Sequence, residues 1–253
     1  MTDLRRARGY APLDWTPEGG ALVARIQALA DTAGPGHVAV LDLDGCLFDT
    51  RPRQVHIFRE LASRPGFERL AHVRAEHFLD WSLRRTCRNA GLDDAWIDAN
   101  FEHLRTFWET RFFSGAYVLY DHAMPGAPAL VRHVHNAGLH VVYLTGRDET
   151  MRAGTEEALH RHLFPLGDRA TLICKPDAAL EDTAFKEGVL ETVAALGDVV
   201  LYMDNEPANV NVFRRRHPDA LVVFVETDHS PRPIEPAPGI PWLRSFLPEP
   251  LTR

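Results

Sequence analysis

Five short apolar runs constrain the fold of this chain more than any other feature of its sequence. Each is rich in Val, Leu or Ile and lacks the polar alternation of a half-exposed strand. Such runs are typical of strands in a sheet that is covered on both faces. The runs are His37–Leu43, Leu139–Leu144, Ala170–Cys174, Val199–Met203 and Leu221–Val225.

Helical patterns fill the intervals between the later runs. Alternating strands and helices require crossover connections, which are right-handed and produce a parallel sheet with helices on both faces. The sequence therefore predicts an α/β fold. The predicted helices are Pro125–Asn136, Thr150–Leu163, Asp182–Leu196 and Glu206–Arg215.

The interval 51–120 breaks this alternation, because apolar residues recur there at helical spacing, as in Val55, Phe58 and Leu61. Turns are expected at Pro65–Gly66 and Ala90–Gly91. Three tryptophans provide enough bulk for a separate hydrophobic core, and they are Trp81, Trp96 and Trp108. We therefore expect two domains, an α/β core of residues 1–50 and 121–253 and an inserted all-helical domain of residues 51–120.

The C-terminal tail from Ser230 onward is rich in proline, and we expect no regular structure in it. Three apolar residues are expected to hold it against the body of the protein. They are Trp242, Leu243 and Phe246.

Composition limits the partners and the location of the protein. The net charge of −7 gives no indication of a nucleic-acid surface, although it leaves a local basic patch open. No apolar run approaches the roughly 20 residues that span a bilayer. The three cysteines are isolated in sequence, which argues against a disulfide framework and favours a cytoplasmic protein. The sequence does not indicate an oligomeric state.

The first apolar run ends in two carboxylates, Asp42 and Asp44, and Gly45 follows them. In an open α/β sheet, ligands bind beyond the carboxyl ends of the strands. Two carboxylates at that place repel each other, so a divalent cation is the expected compensation, and oxygen ligands suit Mg²⁺. The alternative is that these residues only form a turn or a helix cap.

Three more polar signals follow strands in the same way. Thr145 and Gly146 follow the second run, where a hydroxyl and backbone N–H groups can hold a phosphoryl oxygen. Asp204 follows the fourth run and would extend an oxygen-ligand site. The chain has two lysines, Lys175 and Lys186, and either could neutralise an anionic site.

These four signals, in this order, resemble the motifs of the haloacid dehalogenase-like superfamily of hydrolases. The resemblance implies a Rossmann-like core and makes the helical interval a cap inserted after the first motif. It also implies that Asp42 is the nucleophile and that Asp44 is the general acid/base. Asp44 would bind Mg²⁺ through its backbone carbonyl, Asp42 and Asp204 would bind it through their carboxylates, and Thr145 would bind the phosphoryl group.

Some positions stay open under this resemblance. Lys186 is preferred over Lys175 because the segment from Phe185 to Leu190 is similar to the third motif of the family. The family commonly has a second acid near Asp204, whereas the candidates for a second protein ligand to the metal here are Asn205, Glu206 and Asn209.

Arginines close to the motifs are further candidates for substrate binding. Arg147 follows Gly146, and Arg51 begins the helical interval directly after the first motif. Arg51, Arg53 and His56 could contact an anionic part of the substrate, but we expect them to be mainly solvated helix residues.

The second acid of the first motif indicates the reaction. Dehalogenases of the superfamily lack it, whereas phosphatases and phosphomutases use it to protonate the leaving oxygen, so Asp44 favours phosphoryl transfer. We expect a magnesium-dependent phosphomonoester hydrolase that acts on a small phosphorylated metabolite through an aspartyl-phosphate. The alternatives are a nucleotidase, a polynucleotide-end phosphatase, a phosphomutase and a non-catalytic binding protein of the same fold.

Overall fold

Residues 15–250 are described by the computed structural model, and a six-stranded parallel sheet forms their centre. The strands of this sheet are β1 (His37–Leu41), β4 (His140–Asp148), β5 (Ala170–Lys175), β6 (Asp198–Asp204), β7 (Leu221–Val225) and β8 (Trp242–Leu243). Their spatial order is β5-β4-β1-β6-β7-β8, and every neighbouring pair is parallel. The predicted parallel sheet is confirmed.

Helices cover both faces of the sheet, as predicted. The helices are α1 (Pro17–Ala33), α2 (Arg51–Ala62), α3 (Leu83–Asn89), α4 (Asp94–Phe112), α5 (Gly115–Val118), α6 (Ala127–Asn136), α7 (Arg152–Arg161), α8 (Asp182–Gly188), α9 (Leu190–Ala194) and α10 (Pro207–Arg216). Short 3-10 turns occupy Glu68–His72, Ala75–His77 and Glu149–Met151. Alternate residues of β1 enter different cores: Ala39 and Leu41 pack with α1 and α6, and Val38 and Val40 pack with α8 to α10.

The predicted helix Asp182–Leu196 is broken into two, which corrects the sequence interpretation. Helix α8 ends at Gly188, and Val189 has φ −93° and ψ 1° before α9 begins. Glycine weakens a helix interior, and the β-branched Val189 beside it has a lower helix propensity. The break fixes the length of α8, which carries Lys186.

The proline-rich tail contains a strand, contrary to our expectation. Strand β8 pairs with β7, and the backbone carbonyls of Pro241 and Leu243 accept hydrogen bonds from Phe224 and Glu226. An edge strand bonds on one side only, so prolines near it are tolerated. The prediction that the tail is held by Trp242, Leu243 and Phe246 is confirmed. Leu243 and Phe246 are buried, and Trp242 is partly buried against a hydrophobic cluster.

The helical interval forms α2 to α5 and has its own hydrophobic cluster, drawn from residues between Val55 and Phe107. The predicted turns at Pro65–Gly66 and Ala90–Gly91 lie between its helical segments. Trp81 does not join the cluster, contrary to our expectation, because 55% of it is exposed. We call residues 51–120 the helical insert.

A two-stranded antiparallel ribbon, which the sequence did not reveal, joins the insert to the sheet. It consists of β2 (Phe48–Asp49) and β3 (His122–Ala123). The pairing of Phe48 with Ala123 and of Asp49 with His122 places the entry and the exit of the insert side by side.

The structure also bears on the expectations about membrane spans and disulfides. None of the helices in residues 15–250 is long and apolar enough to cross a membrane. The three cysteines are buried and form no disulfide. The parts of the predicted core domain before residue 15 and after residue 250 lie outside the described residues.

Helix α7 of the core crosses α5 of the insert at a glycine, and this contact predicts a stability change. A Cβ on Gly154 would lie 2.0 Å from the carbonyl oxygen of Gly115. Alanine favours a helix over glycine by about 1 kcal/mol, but overpacking against backbone costs about 1–3 kcal/mol. We expect Gly154→Ala to lower the free energy of unfolding, measured by urea denaturation.

Gly188→Ala is the matched control for this prediction, because Gly188 is also helical and a Cβ there would meet nothing within 4 Å. It should be neutral or stabilising by up to about 1 kcal/mol. Equal unfolding free energies for both variants would contradict the proposed close contact.

Candidate active site

A cavity of about 270 Å³ lies at the carboxyl edge of β1, β4 and β6. The parallel arrangement brings the ends of these strands to one edge, so the polar residues that follow them converge. The cavity is lined by most of the predicted site residues, together with side chains of the insert. The predicted residues that line it are Asp42, Asp44, Thr145, Gly146, Arg147, Lys175, Lys186, Asp204, Asn205, Glu206 and Asn209.

Lys186 occupies the centre of the charged part of the cavity. Its Nζ donates to Oδ1 of Asp42 at 2.6 Å and to Oδ2 of Asp204 at 2.8 Å. Lys186, Asp42 and Asp204 are all buried. Lys175 also lines the cavity, but no ion pair of it is found among residues 15–250. The geometry therefore favours Lys186 as the lysine of the site.

Burial and the neighbouring charges together shift the pKa values in this cluster. Burial raises the pKa of Asp42 well above its ordinary value; Lys186 opposes this effect, and the negative charge of Asp204 adds to it. For Lys186, burial alone would lower the pKa, but Asp204 and Asp42 outweigh it and raise the pKa well above the ordinary value. Lys186 is therefore charged at neutral pH.

Asp204 is fixed by four donors. Besides Lys186, its Oδ2 accepts hydrogen bonds from the hydroxyl of Tyr202 at 2.5 Å and from Nδ2 of Asn209 at 3.0 Å. Its Oδ1 accepts from the backbone N–H of Glu206 at 2.7 Å. Sequence reasoning missed Tyr202, although its position two residues before Asp204 on the same strand places both side chains on one face.

Asp44 is turned away from the Lys186 cluster and pairs with two arginines. The turn uses Gly45 at φ +74°, and a Cβ there would lie 2.1 Å from Nδ2 of Asn205. Oδ1 of Asp44 accepts from Nε of Arg147 at 3.0 Å and from Nη2 of Arg53 at 3.2 Å. Burial alone would raise the pKa of Asp44, but these two guanidinium groups outweigh it and hold the pKa well below its usual range.

A buried carboxylate, Asp121, links the same two arginines. Nη2 of Arg147 donates to Oδ2 of Asp121 at 2.8 Å, and Nε of Arg53 lies 3.0 Å from Oδ1 of Asp121. Arg53 also donates to the backbone carbonyl of Phe112 at 2.9 Å. Two carboxylates and two guanidinium groups thus form one network between core and insert. Asp121 carried no signal in the sequence.

The expectation that Arg51 and Arg53 are mainly solvated is wrong, because both are buried. Arg51 donates to both carboxylate oxygens of Asp49, at 2.8 and 2.7 Å. Arg51 is not among the residues that line the cavity, whereas Arg147 lines it while it holds Asp44 and Asp121. The roles of Arg51 and Arg147 in substrate binding stay predictions.

Thr145 and Gly146 lie inside β4 and do not follow it as predicted, because the strand continues to Asp148 through an irregularity in its pairing after Thr145. Thr145 is buried, and its hydroxyl accepts from the backbone N–H of Arg147 at 3.2 Å. Gly146 allows the close approach of Asp182, since a Cβ there would lie 2.1 Å from Oδ1 of Asp182. Asp182 is 3.8 Å from Lys186 and was missed, although its spacing of four residues before Lys186 on a helix was a usable signal.

Asp228 is another acid that sequence reasoning missed. It follows β7, lines the cavity and is buried. Burial, helped by the nearby charge of Asp49, raises the pKa of Asp228 to about 7. The position after a strand end was the signal that could have revealed it.

The charges around Lys186 fit a divalent cation. Asp42, Asp182 and Asp204 surround one lysine, so the cluster carries a charge of −2 when all four groups are ionised. Within residues 15–250 there is no group of three or more His, Cys, Asp or Glu side chains arranged to hold a metal. Carboxylate, amide and backbone carbonyl oxygens line this part of the cavity, and oxygen ligands are the ones that Mg²⁺ prefers.

The candidates for a second protein ligand to the metal differ in the hydrogen bonds that their side chains already make. Both carboxylate oxygens of Glu206 accept hydrogen bonds from Ser230, at 3.0 and 2.7 Å. The amide of Asn205 donates to the carbonyl of Asp228 at 2.6 Å. Oδ1 of Asn209 is buried and has no hydrogen-bond partner among the described residues, while its amide holds Asp204. Asn205 and Asn209 both donate through their amide nitrogens, so these contacts favour the two asparagines over Glu206 without separating them.

Comparison with known families agrees with this site. The model of a hydrolase family, haloacid dehalogenase-like hydrolase, matches residues 37–198. The chain belongs to this family. The matched segment runs from the start of β1 to the first residue of β6 and contains Asp42, Thr145 and Lys186. No curated protein matches the chain.

Solved structures also resemble this member of the family. A HAD-superfamily hydrolase from Ehrlichia chaffeensis is 11% identical, with 84% of this chain and 93% of that chain covered, at a TM-score of 0.47. Protein Tyrosine Kinase A from Mycobacterium tuberculosis is 19% identical, covering 79% and 87%, at a TM-score of 0.46. CbbY from Rhodobacter sphaeroides, in complex with phosphate, is 14% identical, covering 84% and 95%, at 0.44. With all three TM-scores below 0.5, family membership rests on the sequence match.

Lys186 should be essential for stability as well as for the site. Lys186→Met leaves buried carboxylates without their cation, which costs about 3–5 kcal/mol when a buried pair is broken. We expect a loss of about 3 kcal/mol in the free energy of unfolding, measured by urea denaturation without added metal.

Lys175→Met is the matched control for this variant, because Lys175 lines the same cavity and is partly exposed. Its unfolding free energy should stay within about 0.5 kcal/mol of wild type. If both substitutions have the same effect, Lys186 does not hold the carboxylates together in solution.

Proposed function

We propose that this chain is a magnesium-dependent phosphomonoester hydrolase that forms an aspartyl-phosphate on Asp42 and acts on a small phosphorylated substrate. One observation carries the proposal: the buried Lys186 bridges Asp42 and Asp204 at the bottom of a cavity. An anionic nucleophile can approach an anionic phosphate only where positive charge screens their repulsion. Membership of the hydrolase family supports the same conclusion.

Asp42 is the nucleophile in this proposal. Its backbone N–H donates to the carbonyl of Met203 at 2.9 Å, which ties the end of β1 to β6 and fixes the carboxylate. Lys186 holds one carboxylate oxygen, so the other is oriented for in-line attack. The hydroxyl of Thr145 and the backbone N–H groups that follow it bind the phosphoryl oxygens.

Asp42, Asp204 and the backbone carbonyl of Asp44 would hold Mg²⁺, with Asn205 or Asn209 as a further oxygen ligand. When bound, the ion supplies charge neutralisation for the transferring phosphoryl group. The hydrogen bonds that Asn205 and Asn209 make through their amide nitrogens and the excess of carboxylates around Lys186 support this assignment.

Asp44 acts on the proton in both halves of the reaction. Its pairing with Arg53 and Arg147 favours the ionised carboxylate, which is the form that activates water against the aspartyl-phosphate. Protonating a leaving oxygen requires the acid form, which the two arginines disfavour. The pairing therefore supports an ionised Asp44 in the resting site. Because a carboxylate with a lowered pKa is a weak base, the proposal requires its ion pairs with Arg53 and Arg147 to loosen during both half-reactions.

The helical insert acts as the cap of the site in this proposal. It contributes five of the lining residues, and they are Gln54, Trp81, Trp108, Phe112 and Phe113. Covering the phosphate excludes water and strengthens the electrostatic interactions in the cavity. The cavity volume of about 270 Å³ supports a small substrate over a polynucleotide end.

Phosphate release tests the proposal directly. Wild type should release phosphate from members of a phosphomonoester panel with Mg²⁺ and not with EDTA. Asp42→Asn removes the nucleophile and should lower the rate by about four orders of magnitude or more. The variant also removes one charge from a crowded cluster, so its thermal melting should not fall, and this melt is the folding control.

The negative outcome has a second measurement. If folded wild type releases no phosphate and also fails to bind beryllofluoride with Mg²⁺, the enzyme assignment is wrong and a binding function takes its place. A phosphorylated Asp42 that persists for many turnovers would indicate a phosphomutase.

Asp44→Asn tests the division of roles between the two acids. An aryl phosphate has a good leaving group, so the first half-reaction should proceed and give one equivalent of phenol in a burst. The second half-reaction should slow by about 10²–10⁴-fold, because its base is missing. Rapid-quench measurement of phenol and of phosphoprotein checks both half-reactions. Wild type is the control, and it should not accumulate phosphoprotein. A folded variant that turns over without a burst contradicts this role.

A further inference from the structure

Aromatic side chains from the helical insert form one wall of the cavity. They are Trp81, Trp108, Phe112 and Phe113, and we call them the aromatic wall. The rings of Trp108 and Phe112 stack with centroids 4.3 Å apart and an interplanar angle of 14°. The ring of Phe113 stands edge-on to both, at 84° to Trp108 and 87° to Phe112.

The packing of the protein does not account for this wall. Trp81 and Phe113 are 55% and 54% exposed, so most of their apolar surface lies outside any core. Exposed apolar surface that lines a concave site is a mark of ligand binding. Tyr120, the other aromatic residue of the described chain with comparable exposure, lies outside the cavity and stacks on His56 at 3.7 Å.

The charge of the wall excludes several kinds of substrate. Among the lining residues of the insert, Gln54 is the single polar side chain besides the indole N–H groups. Arg53 is committed to Asp44 and Asp121, so it offers no charge to a second phosphate. The cation that remains, Lys175, comes from the core. Such a wall suits a flat apolar group better than a second phosphate.

The volume of the cavity is large enough for a flat apolar group beside the phosphate. A cavity of about 150 Å³ is large enough to bind benzene. The cavity here, of about 270 Å³, therefore has room for a phosphoryl group and one small aromatic ring system.

We propose that the substrate is a phosphomonoester whose organic part is a planar aromatic ring, which stacks on the aromatic wall while the phosphate lies at Asp42 and Lys186. This inference rests on the proposed phosphatase function and names its substrate class. The contacts are ring stacking on Trp108 and Phe113 and burial against Trp81.

Binding of non-hydrolysable ligands tests the inference without turnover. Phenylphosphonate and cyclohexylphosphonate have similar size and charge and differ in planarity and π-surface. With Mg²⁺ present, isothermal titration calorimetry should show phenylphosphonate binding about tenfold tighter to wild type, which corresponds to two stacking contacts.

The double variant Trp81→Leu/Phe113→Leu should reduce this preference to about threefold, because it removes the stacking contact with Phe113 and keeps the one with Trp108. The matched control is Trp96→Leu, because Trp96 belongs to the insert, packs against Phe67 and does not line the cavity. It should keep the tenfold preference. In turnover, the double variant should raise KM for phenyl phosphate by a larger factor than KM for methyl phosphate.

The outcomes separate this inference from the proposed function. If wild type hydrolyses phosphate esters but binds both phosphonates equally, the aromatic substrate is excluded and the phosphatase stands. If neither phosphonate binds and no ester releases phosphate, the proposed function fails and the inference with it. Should the double variant not fold, the comparison of the two phosphonates on wild type still decides.

Discussion

The bridge from Lys186 to Asp42 and Asp204 is the interaction on which the rest of the site depends. It joins side chains from three elements, β1, β6 and α8, within hydrogen-bond distance of one buried nitrogen. Burying any one of these charges alone would be costly, so the three must come together as the protein folds. The bridge can form only if β1 and β6 pair in this register and α8 is long enough to carry Lys186 into the cavity.

A second buried network ties the helical insert to this centre. Arg53 comes from the insert, whereas Arg147 and Asp44 come from the core, and Asp121 holds both arginines. Ion pairs as well as apolar packing therefore set the position of the insert over the cavity. They also set the position of the aromatic wall, because its residues belong to the insert.

The sequence predicted what depends on local pattern. The buried strands, the acids after them and Lys186 follow from apolar runs, strand ends and motif spacing, and the structure brings them together. The sequence did not predict the partners of Arg51 and Arg53. Arg53 pairs with Asp44 and Asp121 through tertiary contacts, and Arg51 pairs with Asp49, two residues before it, outside the helical spacing on which the expectation relied. Strand β8 and the exposure of Trp81 were missed because an edge pairing and a cavity wall exist only after folding.

The β2–β3 ribbon has a consequence for the modular architecture of the chain. It makes the chain leave and re-enter the core at adjacent residues, Asp49 and His122. The entropic cost of closing a loop grows only slowly with its length. The stability of the core therefore depends only weakly on the number of residues between those two points. Segments of other sizes and shapes could be exchanged there during evolution while the catalytic edge of the sheet is preserved, which makes the specificity of such an enzyme replaceable separately from its chemistry.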